Sequence, residues 1–129
     1  MKNSSFQFTN PILLELQFEV NKSFDANANN GINIPTNFNI NISKKNDAAE
    51  AIVELTVTLG AQDNNMPFYV KAVEGAKFLW ENDSGLNIDQ MLEQNAPALL
   101  LGYLRPIIAS ITSASPFTAY NIPFVNFTE

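Results

Sequence analysis

The 129-residue chain carries 7 basic and 13 acidic side chains, a net charge of −6, which excludes the clustered cationic surface that a nucleic-acid backbone requires. It contains no cysteine and no histidine, so disulfides, Cys/His zinc sites, thiol nucleophiles and Ser-His-Asp triads are all excluded. Hydrophobic residues make up 46% and charged residues only 16%, so the chain can build a core but has little charge with which to cover its surface.

The opening residues, MKNSSFQFTN, are polar, carry no apolar signal segment and are expected to fray. Residues 12–20, ILLELQFEV, alternate. Leu14, Leu16, Phe18 and Val20 share one face and Glu15, Gln17 and Glu19 the other, as in a half-buried strand. SFDANANNG follows as a loop closed by Gly31. Residues 38–43, FNINIS, alternate again with Phe38, Ile40 and Ile42 inward, and KKND marks a tight turn. Residues 49–61 form a third strand with Ile52, Val53 and Val57 as its β-branched core, and QDNNM makes the next turn. Residues 67–81 form a fourth strand, in which Gly75 marks a bulge or a close backbone approach. Short turns between successive strands predict an antiparallel meander or Greek-key sheet.

Beyond this sheet, Asp83 or Ser84 offers a cap, and NIDQMLEQN reads as a short helix. Asn95 then caps a long helix over residues 96–113, with Pro97 tolerated in its first turn. Leu100, Tyr103, Leu104, Ile107, Ile108 and Ile111 recur at helical spacing, and Leu99 and Leu101 widen the stripe. Such a stripe exceeds what one sheet face covers, so these six residues are candidate subunit contacts. Pro106 should kink the helix against the Gly102 carbonyl. Arg105 is expected to reach water or pair with a carboxylate. The longest apolar run, 97–111, is too short to cross a bilayer and contains Arg105. After Ser115, prolines and aromatic residues keep the tail extended. A single cytoplasmic domain is the expectation.

No catalytic constellation emerges. Glu15 and Glu19 on one strand lie roughly 13 Å apart, beyond the reach of a catalytic pair. Asp83, Asp89 and Glu93 do not match the spacing of a cation-binding loop, and no cofactor is implied. The aromatic residues are more informative. Phe68, Val70 and Phe78 on the fourth strand, with Phe117, Tyr120 and Phe124 on the tail, form a candidate groove for apolar peptide side chains.

The second half of the chain carries a longer pattern. Pro97 is followed by Tyr103-Leu104-Arg105, Ser110-Ile111-Thr112-Ser113, Phe117, Asn121-Ile122 and Val125-Asn126-Phe127. Phe18-Glu19, Val57-Thr58 and the spacing from Phe68 to Phe78, with Gly75 between, extend it over roughly residues 12–127. In order and spacing the chain resembles the SecB family of bacterial export chaperones. The resemblance implies an α+β domain over residues 1–129, a four-stranded antiparallel sheet followed by a long helix. It implies an ATP-independent holdase for non-native polypeptides or preproteins, without cofactor, nucleic-acid partner or membrane insertion. Assembly would be a homodimer or homotetramer, with sheets pairing edge to edge and helices packed between them. Docking to the SecA motor would use acids on the outer sheet face. Glu15 and Glu19 fit that role, whereas Lys71 stands where the family has an acid, so SecA binding is expected to be weak. The chain stops at Glu129, before the family's second helix and acidic tail. An antitoxin client and a non-chaperone adaptor with the same fold are the alternatives.

Overall fold

The computed structural model describes residues 2–25, 33–45, 47–63 and 65–128. Gly31, the expected close of the first loop, lies outside them, as do Asn46 and Asn64 of the two turn motifs.

Five strands form one antiparallel sheet: β1 (Gln7–Phe8), β2 (Ile12–Val20), β3 (Thr36–Lys44), β4 (Glu50–Gly60) and β5 (Phe68–Leu79). Strands β3, β4 and β5 follow one another as a meander, and β2 lies beside β5, which gives the order β2-β5-β4-β3 and a Greek-key arrangement. Strand β1 extends the β2 row along β5, with Gln7 opposite Leu79 and Ile12 opposite Gly75. The opening residues are therefore ordered, contrary to expectation. Thr9 N–H reaches the Lys77 carbonyl at 2.9 Å, and Phe6 stacks on Phe78 and Trp80 with ring centroids 5.5 and 6.2 Å apart.

Strict alternation on β4 divides the two faces. Ala51, Val53, Leu55, Val57 and Leu59 are buried and stand opposite Phe78, Ala76, Glu74, Ala72 and Val70 of β5. Burial of each large apolar side chain stabilises the fold by about 1.5–3 kcal/mol. Ile52 falls in the other phase, on the outer face, and is 45% exposed. It is not core, because a one-residue step along a strand reverses the side chain's direction.

The expected irregularity at Gly75 is real, but the bulge lies on β2. Leu13 pairs with Glu74 and Glu15 with Val73, so Leu14 has no opposite residue. Leu14 consequently leaves the face of Leu16 and Phe18 and packs over Gly75: a Cβ at Gly75 would sit 2.8 Å from Leu14 Cδ1 and 3.3 Å from Glu54 Cγ. The bare glycine leaves the space that the bulge fills.

One continuous helix covers the inner face. Its pieces are α1 (Ile88–Gln90), a π-turn (Met91–Asn95) and α2 (Ala96–Ser113). Asn87 caps it, its side-chain oxygen accepting from Gln90 N–H at 3.2 Å, in place of the expected Asp83 or Ser84. Asn95 has helical angles and caps nothing. Pro97 has no N–H to give and its ring crowds the carbonyl four residues back. The wide turn just before it, in which Ala96 N–H donates to Met91, makes room. Helix α2 continues through Pro106 to Ser113. By length and mean hydropathy the run Ile88–Ser113 would pass as a membrane span, yet Leu100, Leu104 and Ile108 are fully buried in the core shared with β4 and β5.

Candidate functional site

The apolar stripe of α2 divides when the helix meets the sheet. Leu100, Leu104 and Ile108 lie one turn apart on the sheet-facing side and are fully buried within the protomer. Half of the expected subunit contacts are thus already engaged in the chain's own core. Tyr103 remains 43% exposed, and Leu99, Ile107 and Ile111 are partly buried beside it.

The opposite flank of α2 holds the tail. Arg105 Nη2, expected to reach water or a carboxylate, donates to the Pro123 carbonyl at 2.8 Å. Tyr120 N–H donates to Thr112 Oγ1 at 2.8 Å, and the Thr112 hydroxyl donates to the Ile108 carbonyl at 2.7 Å. The hydroxyls of Tyr120 and Thr36 are 3.2 Å apart. Phe117 packs edge-on against Phe24 at 5.6 Å, and Phe127 against Phe38 at 5.8 Å. These contacts fix the extended tail between α2 and β3.

The six aromatic and apolar groove candidates separate accordingly. Phe68, Val70 and Phe78 are buried on the inner face of β5. They belong to the protomer core rather than to an open wall, because period two places them in the phase that the helix covers. Phe117 and Tyr120 are partly buried, and the Phe124 ring stands entirely in solvent at 102% relative exposure.

On the outer face the structure brings Glu15, Glu19 and Lys71 together. Gln17 lies opposite Lys71 and Glu19 opposite Tyr69. Lys71 Nζ is 3.3 Å from Glu15 Oε2. The Glu19 carboxylate accepts from Gln62 Nε2 at 2.9 Å and from Gln17 Nε2 at 3.3 Å.

Other charges serve local pairing. Lys44 binds Asp89 at 3.1 Å, and Lys77 and Lys45 approach Glu50 at 3.2 and 3.7 Å. The hydrogen bond from Lys77, with help from Lys45, holds the Glu50 carboxyl below its ordinary pKa. Among the described residues, no group of three His, Cys, Asp or Glu side chains is placed to hold a metal.

Two features escaped the sequence reading. Strand β2 exposes leucines on both faces: Leu13 and Leu16 on the inner face, 38% and 40% exposed, and Leu14 on the outer. Alternation located the strand but could not show that it is an edge beyond the cover of α2. Glu74 is only 3% exposed on the inner face, and its Oε1 has no hydrogen-bond partner. Its signal was present in the phase Phe68, Val70, Ala72, Glu74, Ala76, Phe78, which places an acid in a core row.

The family model described as preprotein translocase subunit SecB matches residues 2–129. The chain belongs to the SecB family. SecB-family chaperones are non-enzymatic. Among solved structures, the chain shares its fold with a Mycobacterium tuberculosis SecB-like chaperone in complex with a ChAD peptide from the HigA1 antitoxin. The TM-score is 0.73 at 12% identity, over 94% of this chain and 91% of that one. A Streptococcus agalactiae protein of unknown function matches with a TM-score of 0.57 at 12% identity, over 92% and 97%. No curated protein matches the sequence. The expected α+β architecture, an antiparallel sheet followed by one long helix, is that of the SecB family.

Proposed function

We propose that this SecB-family chaperone is a cytoplasmic, ATP-independent holdase that binds non-native polypeptides and works as a homodimer or homotetramer. The observation that carries this reading is the set of exposed apolar side chains on β2, on one flank of α2 and, on the other side, on the tail, in a chain without cysteine or histidine. Apolar surface of this kind captures unfolded segments by burial alone, a process that needs no bond chemistry. In this reading Phe124 contacts client side chains directly, with Phe117 and Tyr120 beside it. Phe68, Val70 and Phe78, buried in the protomer core, support the fold without touching the client.

Assembly in this reading uses the free edge of β2 and the α2 flank. Tyr103, Ile107 and Ile111 meet the partner, and the buried Leu100, Leu104 and Ile108 hold the helix in place. An unpaired edge strand with exposed leucines is a ready template for isologous pairing.

Two client routes are open to such a protein. A short segment of an antitoxin is favoured by the fold shared with a chaperone that binds the ChAD peptide. Delivery of preproteins to SecA is disfavoured by Lys71, which neutralises Glu15 on the face where acids would dock. Fluorescence anisotropy of a labelled, permanently unfolded polypeptide, with and without ATP, tests the holdase reading. Saturable binding indifferent to ATP supports it. Absence of binding would instead assign the fold to an oligomeric adaptor.

A further inference from the structure

Glu74 is at odds with its surroundings. Its cross-strand neighbours on the inner face are Leu55 of β4 and Leu13 of β2, and its Oε1 meets no donor. An ionised carboxylate in such a place is costly, and burial raises its pKa above the ordinary carboxyl value. No cation among the described residues offsets that cost on the inner face. From β2 the residues sharing this face are Leu13, Leu16 and Phe18, and from β4 they are Val53, Leu55 and Val57. Helix α2 has two titratable groups: Tyr103, exposed on one flank, and Arg105, held on the other by the Pro123 carbonyl. Glu93 of the π-turn is exposed. Lys71 and Lys77, from β5 itself, lie on the outer face with Glu15 and Glu50, and Glu54 also faces outward. Lys44, at the far end of β3, is paired with Asp89.

Towards β2, the residue opposite Glu74 is Leu13, which remains 38% exposed. Among the described residues, nothing pairs with one side of the nine-residue strand β2, which carries leucines on both faces. That surface suits the same strand of another copy, leucine against leucine in an isologous antiparallel pair. We propose that Glu74 couples pairing of two copies through β2 to proton uptake. This rests on the assembly reading above. The second copy covers Leu13 and Leu16, deepens the apolar surroundings of the already buried Glu74, and pairs best when that carboxyl is protonated.

The sign follows from burial, which disfavours the charged form. The Glu74 pKa is therefore higher in the pair than in the free protomer, and between those two values the pair binds more protons. Pairing is tightest below the free-protomer pKa and weakens as pH rises towards the paired-state pKa. With one Glu74 on each protomer, the dissociation constant can change by up to about 100-fold per pH unit within that window.

Sedimentation-velocity dilution series from about pH 5 to about pH 8, on the wild-type chain and on Glu74→Gln, test the coupling. The wild-type dissociation constant should rise by about tenfold or more across the range. The isosteric, uncharged variant should pair tightly across the range, with a dissociation constant that changes by less than about threefold. A wild-type slope retained in Glu74→Gln would overturn the coupling and leave the assembly standing. No association of either protein at any pH would remove the assembly, and the coupling with it. Carbon-13 NMR titration of the wild-type Glu74 carboxyl gives a second readout that does not depend on the variant folding. Its midpoint should be higher in concentrated than in dilute protein, and a concentration-independent midpoint would contradict the coupling.

Discussion

Lys71 Nζ lies 3.3 Å from Glu15 Oε2 on the outer face of the sheet, joining β5 to β2. Both side chains are partly exposed, so the pair contributes at most about 1 kcal/mol to stability. Its larger effect is on the surface potential, where a cation stands between the carboxylates of the proposed docking face. Lys71→Glu should change unfolding free energy by less than about 1 kcal/mol and raise affinity for SecA in a low-salt titration. The unmodified chain should bind SecA weakly. Tight binding by the unmodified protein would restore the export route.

Thr112 ties the tail to the helix, accepting from Tyr120 N–H and donating to the Ile108 carbonyl. Thr112→Val keeps the shape and removes both bonds. Leaving the Tyr120 amide without a partner should cost about 1–3 kcal/mol in urea unfolding. Amide exchange at Tyr120 should accelerate more than exchange on β4. Equal acceleration everywhere would mean that the clamp is not local.

Much of this fold was legible because its strands and main helix obey simple periods. Residues 12–20 and 96–113 appear as the strand and helix expected of them, bounded as the patterns indicated. The misses have physical causes. A two-residue β1 is too short for any period, and stacking by Phe6 on Phe78 and Trp80 holds that segment in place. Asn95 before Pro97 resembles a cap, but the π-turn lets the helix continue through both. Of the outer face, alternation placed Glu15 and Glu19 together on β2, whereas Lys71 was singled out only through the family resemblance. The division between buried Phe68, Val70 and Phe78 and exposed Phe124 depends on where α2 and the tail rest, which local sequence does not encode.

Gly60 closes β4 with φ +71°, and a Cβ there would collide with the Phe68 carbonyl oxygen. Gly60→Ala should destabilise the protein by about 2 kcal/mol or more, the left-handed backbone and the collision acting together. Gly85 has φ +76° and open space around it. Gly85→Ala should therefore cost only about 1 kcal/mol. Equal losses in thermal or urea unfolding would contradict the packing at the β4–β5 turn.

Phe124 is exposed and Phe117 is partly buried against Phe24. Phe124→Ser should leave stability within about 0.5 kcal/mol. The double change of Phe124 and Phe117 to Ser should weaken client binding by about tenfold or more while the subunits stay associated. Unchanged client affinity in a folded double variant would move the contact surface away from the tail.

The most direct measurement is light scattering from a chemically denatured client diluted into buffer with this protein and without ATP. Suppression of aggregation near stoichiometric ratios, unaffected by added ATP, is the expected result. Unchanged client aggregation in the presence of folded protein at excess would contradict the holdase function.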